Sequence, residues 1–268
     1  VYKRQAYCGV PGLKPSFGRL STVGVVPVGC AFDAVGPLAR RADDLFEVLD
    51  LLSDPVRAPN PVQQSQLRRI GLPQLADYAH CTAEVSAAVD RAAAALEAKG
   101  YEVVTFDVDF DAQTARRAGF VLMERELAHY LQGLDPDSLS PVLAGYLRYG
   151  MQISEAKLAH AREVVAAAAD AWSGWLADYD VLLMPTVPHE AFSLDDTHLP
   201  DNQAVFTAPA NFCGCPALSL PAGQGANNMP VAVQFLAGPG CETLLQQVAR
   251  VIEPEYGQAY QPPPKFNL

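Results

Sequence analysis

Gly9, Pro11, Gly12, Pro15 and Gly18 fall within ten residues of one another near the start of this 268-residue chain. Glycine opens backbone conformations that other residues avoid, and proline fixes φ and removes a hydrogen-bond donor. A run this dense predicts an irregular, closely packed backbone in place of a helix or strand.

The rest of the chain has the balance of a globular enzyme. Half of its residues are hydrophobic and 18% are charged, enough for one large or two modest domains. Acidic residues outnumber basic ones by 30 to 19, giving a formal charge of −11. An acidic surface repels phosphate backbones, so direct nucleic-acid binding is not expected. No apolar run reaches membrane-spanning length, so no membrane partner is expected either. The six cysteines (Cys8, Cys30, Cys81, Cys213, Cys215 and Cys241) contain no C-x-x-C pair. The five histidines add no recognisable metal-ligand spacing to them. Buried free thiols in a reducing, cytoplasmic compartment are the expectation, with no metal and no cofactor.

Periodicity sets out an α/β order. Residues 40–53 predict a helix with Asp43 and Asp44 near its N-terminal end, where the helix dipole favours acids. Residues 54–66 read as a linker and 69–73 as a short strand. A helix over 82–99, with Thr82 as N-cap and Gly100 as the stop, leads into a β-branched strand over 101–106. A helix bounded by two strands predicts a mainly parallel sheet. Long helices are predicted over 112–131 and 154–177, separated by a loop that carries Pro136, Pro141 and Gly145. The apolar run 181–184, ending at Pro185-Thr186, predicts a buried strand with a ligand-accessible loop at its C-terminal end. Strands on either side of 223–228 predict a hairpin, followed by a helix over 241–252. The proline-rich tail from 254 onward is expected to be loosely ordered.

Four blocks of this chain resemble the amidase signature family. Residues 6–19 follow its P-A-A-[FY]-C-G-V-x-G-[LF]-K-P-[ST]-x-G-R run, and Phe32-Asp33-Ala34-Val35-Gly36-Pro37 follows its S-x-D-x-x-G-P element. Phe206–Pro221 resembles F-T-x-P-x-N-x-x-G-x-P-A-[IL]-S-[VL]-P, and Met229–Ala237 resembles L-P-V-G-[LV]-Q-[LI]-[VI]-[GA]. The resemblance implies a mixed, mainly parallel sheet covered by helices on both faces and incomplete at its N-terminus. It assigns residues 6–253 to the C-terminal part of the family's domain and leaves 1–5, which do not match, as a non-native junction. Gly9, Gly12, Lys14, Pro15, Gly18, Asp33 and Gly36 are then structural residues of the motif.

Family members break a carboxamide C–N bond, releasing acid and ammonia, through a serine nucleophile, a second serine joined by a cis peptide, and a neutral lysine. By the motif register the nucleophile belongs immediately before Val1, so no catalytic residue is assigned in this chain and the chain alone is expected to be inactive. Lys14 is the lysine of the K-P-[ST] element, and its implied role is to satisfy nearby carbonyls. Cys8 is expected to be a buried packing residue in place of a nucleophile, and Asp33 to tie down a turn. Thr186, Thr207 and Asn211 are the substrate-pocket candidates; each could instead fix its loop by hydrogen bonds. The implied partner is a small amide, and a homodimer fits the family. A second reading is the A subunit of a glutamine-dependent aminoacyl-tRNA amidotransferase, although Ala204 stands near the position of the glutamine-binding aspartate of that protein. A non-catalytic paralogue is the third.

Overall fold

The strand β4 (Val181–Pro185) is buried along its whole length, and its side chains divide between two cores. Val181 and Leu183 join a core with α2 (Ala42–Leu52), α3 (Ala83–Ala98) and α8 (Glu242–Ile252). Leu182 and Met184 join another with Trp172, Phe206 and Ala210. Alternation of period two in an apolar strand with no polar positions requires a sheet covered on both faces, which is what helices on each side provide.

The computed structural model describes residues 3–29, 31–53, 66–75, 80–192 and 203–256. The six strands are β1 (Gly12–Lys14), β2 (Arg69–Gln74), β3 (Glu102–Asp107), β4, β5 (Ala217–Gln224) and β6 (Pro230–Ala237), in the spatial order β1-β5-β6-β4-β2-β3. The pairs β4/β2 and β2/β3 are parallel, whereas β1/β5, β5/β6 and β6/β4 are antiparallel. The mixed α/β architecture agrees with the sequence reading. Its weighting toward parallel pairing is corrected, because the C-terminal hairpin and the short β1 add three antiparallel pairings among the described strands. The change of direction falls at β4, between antiparallel β6 and parallel β2.

Most predicted helices appear within a residue or two of their expected limits. Helix α3 stops at Gly100, whose φ of 89° is open to glycine at little cost. Helix α4 spans Ala112–Leu131, with the Asp111 carboxylate accepting from Thr114 N–H, and α6 spans Glu155–Asp178, with Ser154 Oγ accepting from Lys157 N–H. No described helix is long and apolar enough to cross a membrane.

One connecting segment departs from expectation. The loop expected between α4 and α6 contains α5 (Pro141–Gln152). Proline at the first helical turn gives up only a donor that has no intrahelical partner there, and Ser140 Oγ accepts from Leu143 N–H as N-cap. The short helix α1 (Lys3–Cys8) precedes the breaker run and is stopped by Gly9 at a φ of 65°; from Gly9 to Gly18 the backbone is irregular, as expected, apart from the three-residue β1. The linker reading over 54–65, the tail from 257, and residues 1 and 2 of the junction lie outside the described residues.

Candidate functional site

The side chains of Thr186, Ser219 and Gln234 are buried on one face of the sheet. Gln234 shares that face with Ala232 and Leu236, Ser219 with Ala217, and Thr186 follows Leu182 and Met184 in register. Thr186 and Ser219 share a hydroxyl–hydroxyl hydrogen bond of 3.0 Å. The Gln234 amide donates to Pro185 O at 2.9 Å and to Phe206 O at 2.6 Å. One side chain therefore ties the residue before Thr186 to the residue before Thr207. A polar layer inside an otherwise apolar sheet costs free energy unless it is hydrogen-bonded, and these bonds answer that cost for the Gln234 amide N–H groups and the two hydroxyls, while Gln234 Oε1 stays buried without a partner.

Thr207 and Asn211 close the other side of this layer. Thr207 is 6% exposed and its hydroxyl donates to Ala204 O at 3.4 Å. Asn211, partly exposed on the four-residue helix α7 (Pro209–Phe212), donates from Nδ2 to Thr207 O at 3.3 Å. Gln234 thus links the loops that carry the three pocket candidates; Thr207 and Asn211 fix local backbone, whereas Thr186 bonds to the Ser219 hydroxyl. In the sequence Gln234 is no more than one letter of the fourth block. A glutamine within a buried apolar strand is the signal that marks it.

Helix α1 lies over the same face. Ala6 packs with Val187 and Ala232, and Tyr7 joins them. The Tyr7 ring stacks on His189 at 5.9 Å and meets Phe192 edge-on at 5.5 Å. His189 Nδ1 bonds to Glu190 O at 2.8 Å. Among the described residues, Tyr7 OH and His189 Nε2 are buried without a hydrogen-bond partner. Burial raises the Tyr7 phenol well above its ordinary range, so it stays protonated and can only offer a neutral hydroxyl. The Glu190 carboxylate holds the turn of the β5–β6 hairpin through Asn227 and Met229.

The stretch after β1 is locked to the C-terminal half of the chain. Lys14 Nζ donates to Pro15 O at 3.0 Å and Cys215 O at 2.8 Å, and Phe17 N–H donates to Gly214 O at 2.9 Å. Ser16 N–H donates to buried Glu242 at 2.9 Å, Ser16 Oγ accepts from Gly240 N–H at 2.8 Å, and Arg19 pairs with Glu242 at 3.6 Å. Gly36 passes so close to Leu13 that a Cβ would collide with its carbonyl oxygen. The Asp33 carboxylate accepts from Val28 and Gly29 N–H groups.

Two thiols complete this corner. Burial lowers the Lys14 pKa to about 8, while the charges of Cys213, Cys215 and Glu242 pull it the other way. The hydrogen bond with Cys215 draws Cys213 below the usual thiol range, and the same bond with burial pushes Cys215 up. Sequence alone gives Cys213 and Cys215 no role beyond packing. Cys8 departs from expectation: it is exposed at the end of α1, before Gly9. No group of three or more metal-ligating side chains occurs among the described residues. A cleft of about 550 Å³ opens among α4, α5 and α6, lined by Arg117, Phe120, Tyr146, Tyr149, Lys157 and His160, apart from the Thr186–Thr207–Asn211 layer.

Known proteins share this family and fold. The family model described as Amidase matches residues 5–245. The 2-amino-5-chloromuconic acid deaminase of Comamonas testosteroni is 33% identical over 268 aligned positions, which cover 94% of this chain and 57% of that protein. The A subunit of glutamyl-tRNA(Gln) amidotransferase from Fusobacterium nucleatum is 25% identical, covering 98% of this chain and 62% of that one. The solved structure of 6-aminohexanoate cyclic dimer hydrolase complexed with substrate superimposes with a TM-score of 0.81 at 26% identity, over 98% of this chain and 64% of that chain. This chain therefore spans about 60% of the length of these relatives. By the extent of the family match and the agreement of fold, the chain belongs to the amidase family.

Proposed function

We propose that this chain forms the scaffold and one pocket wall of an enzyme that hydrolyses a carboxamide C–N bond to an acid and ammonia. The observation that carries the reading is the seating of α1 on the polar layer. The element that follows the family's serine position packs, through Ala6 and Tyr7, on Val187 and Ala232 beside Thr186. In this reading the attacking serine, the relay serine and the neutral lysine come from sequence N-terminal to Ala6. Thr186, Thr207 and Asn211 hold the wall against which the amide lies, and Lys14 braces the loop behind it.

Amide hydrolysis asks such a wall for orientation more than for proton transfer. The nucleophile and oxyanion donors gain from a substrate fixed within a fraction of an ångström. Hydrogen bonds that end on backbone carbonyls, as those of Gln234 and Asn211 do, suit that task because they leave little freedom to the loops they join. Relatives named for deaminating 2-amino-5-chloromuconic acid and for hydrolysing 1-carboxybiuret support C–N bond cleavage as the reaction class.

A fluorophosphonate probe and an ammonia-release assay test this reading. The 268-residue chain is expected neither to label nor to turn over amides. The protein carrying its upstream sequence is expected to do both, with Asn211→Ala raising KM while serine labelling persists. Stoichiometric labelling of the 268-residue chain would overturn the assignment of the nucleophile. The amidotransferase reading rests on relatives such as the F. nucleatum protein. It requires glutamine as ammonia donor, and Ala204 supplies no acid for that ligand. Ammonia release from glutamine but from no other carboxamide would favour it.

A further inference from the structure

Cys213 and Cys215 flank Gly214 in the turn that leads from α7 into β5. Gly214 takes a φ of 64° between them. Cys213 Sγ also reaches Pro209 O at 3.1 Å, and Cys215 Sγ reaches Cys213 O at 3.6 Å. Cys213 is partly exposed whereas Cys215 is buried, so a small oxidant meets Cys213 first. Lys14 Nζ, held on Cys215 O at 2.8 Å, places a positive charge beside the pair, and that charge favours the Cys213 thiolate.

We propose that Cys213 and Cys215 form a peroxide-sensitive dithiol that closes into an intrachain disulfide across Gly214. The Cys213 thiolate attacks one oxygen of hydrogen peroxide, the O–O bond breaks, and the departing hydroxide takes a proton and leaves as water. Cys213 is then a sulfenic acid. The Cys215 sulfur attacks the Cys213 sulfur, the S–O bond breaks, and the hydroxyl leaves as a second water with the proton of Cys215. Two thiols are oxidised by two electrons in all, and one peroxide is reduced to two waters. Closure consumes the S–H groups directed at Pro209 O and Cys213 O. The change is therefore delivered to the C-terminal end of α7, the helix that carries Asn211.

Peptide mass mapping of the reduced chain after stoichiometric hydrogen peroxide tests the proposal. The peptide holding Cys213 and Cys215 should lose the mass of two hydrogens, and dithiothreitol should restore it. Cys213→Ser and Cys215→Ser should each abolish that loss, whatever happens at exposed Cys8. Phenylarsine oxide, which bridges adjacent thiols, should form a single adduct on the same peptide of the unsubstituted reduced chain, a result independent of how well the variants fold. Oxygen retained on either residue, pairing of either with another cysteine, unreacted thiols at both positions, or absence of the arsenical adduct would overturn the assignment.

Discussion

The corner where the opening segment meets β5 and α8 is held by buried directed bonds, whereas the α4–α5–α6 helices are held by packing and by more exposed bonds, from Arg125 to Gly150 O and Glu155 and from Lys157 to Tyr149. At the corner, Lys14, Ser16, Phe17 and Arg19 each bond to the loop at 214–215 or to residues 240–242, across about 200 positions of sequence or more. Among the helices, Leu127, Ala128, Leu131 and Leu147 make a small apolar cluster, and Gly150 lets α5 approach the backbone of α4 near Glu124. Apolar residues also remain outside that cluster, with Val142 at 64% and Met151 at 53% exposure. Directed bonds specify a unique partner and leave a buried group stranded when one member is lost. Packing tolerates substitution of similar volume.

The sharpest way to break this contrast is Glu242→Ala. It removes the acceptor of Ser16 N–H and leaves Arg19, 11% exposed, without its buried carboxylate. The expected loss is about 3 kcal/mol in urea denaturation, because a buried N–H loses its charged acceptor and Arg19 keeps only exposed Asp50, at 3.4 Å, as counter-charge. A loss no larger than that of an exposed ion pair would show that the corner is not held by these bonds.

Lys14 gives the next largest effect, and it depends on pH. Its folded pKa of about 8 lies below the ordinary 10.5, so between those values the unfolded chain binds more protons than the folded one. Stability relative to Lys14→Met should therefore rise as pH increases through that window, by up to about 3 kcal/mol, and should stay level below it. Denaturant midpoints of both proteins measured from pH 7 to pH 10.5 check the sign. The two carbonyls that Lys14 satisfies lower the variant's stability at every pH and do not alter the slope.

Ser140→Ala tests the other region and should be the mildest. Loss of the N-cap bond to Leu143 N–H costs about 1 kcal/mol, and the change should be confined to α5. Hydrogen exchange should quicken in residues 141–152 and remain unchanged in β4, β5 and β6. Loss of protection in the sheet would mean that the helices and the corner unfold as one unit.

The same contrast explains which parts of the molecule are legible in the sequence. Helices α3, α4 and α6 follow from apolar periodicity and capping residues, since these are local effects. The partition of β4 between two cores follows from an apolar run too short for a helix. Helix α5 is hidden because Pro141 and Gly145 read as breakers, although proline suits a first turn and Gly145 has open space around it. The parallel bias comes from the strand–helix–strand unit, which predicts its own pairings and says nothing of the hairpin that completes the sheet. At the site, Thr186, Thr207 and Asn211 stand out as motif residues, but the side chain that joins their loops does not. Gln234 acts through carbonyl oxygens, which every residue carries, so the sequence records the donor without its partners. The exposure of Cys8 is illegible for a related reason: it depends on where Gly9 turns the chain, a three-dimensional fact.

The double bond made by Gln234 also has a mechanical consequence. Because one amide grips the end of β4 and the turn at Phe206 together, neither can shift alone without stretching a bond in the interior. A molecule that pushed on the 204–211 segment would load the central strand of the sheet directly, and the wall would yield as a single stiff plate or not at all.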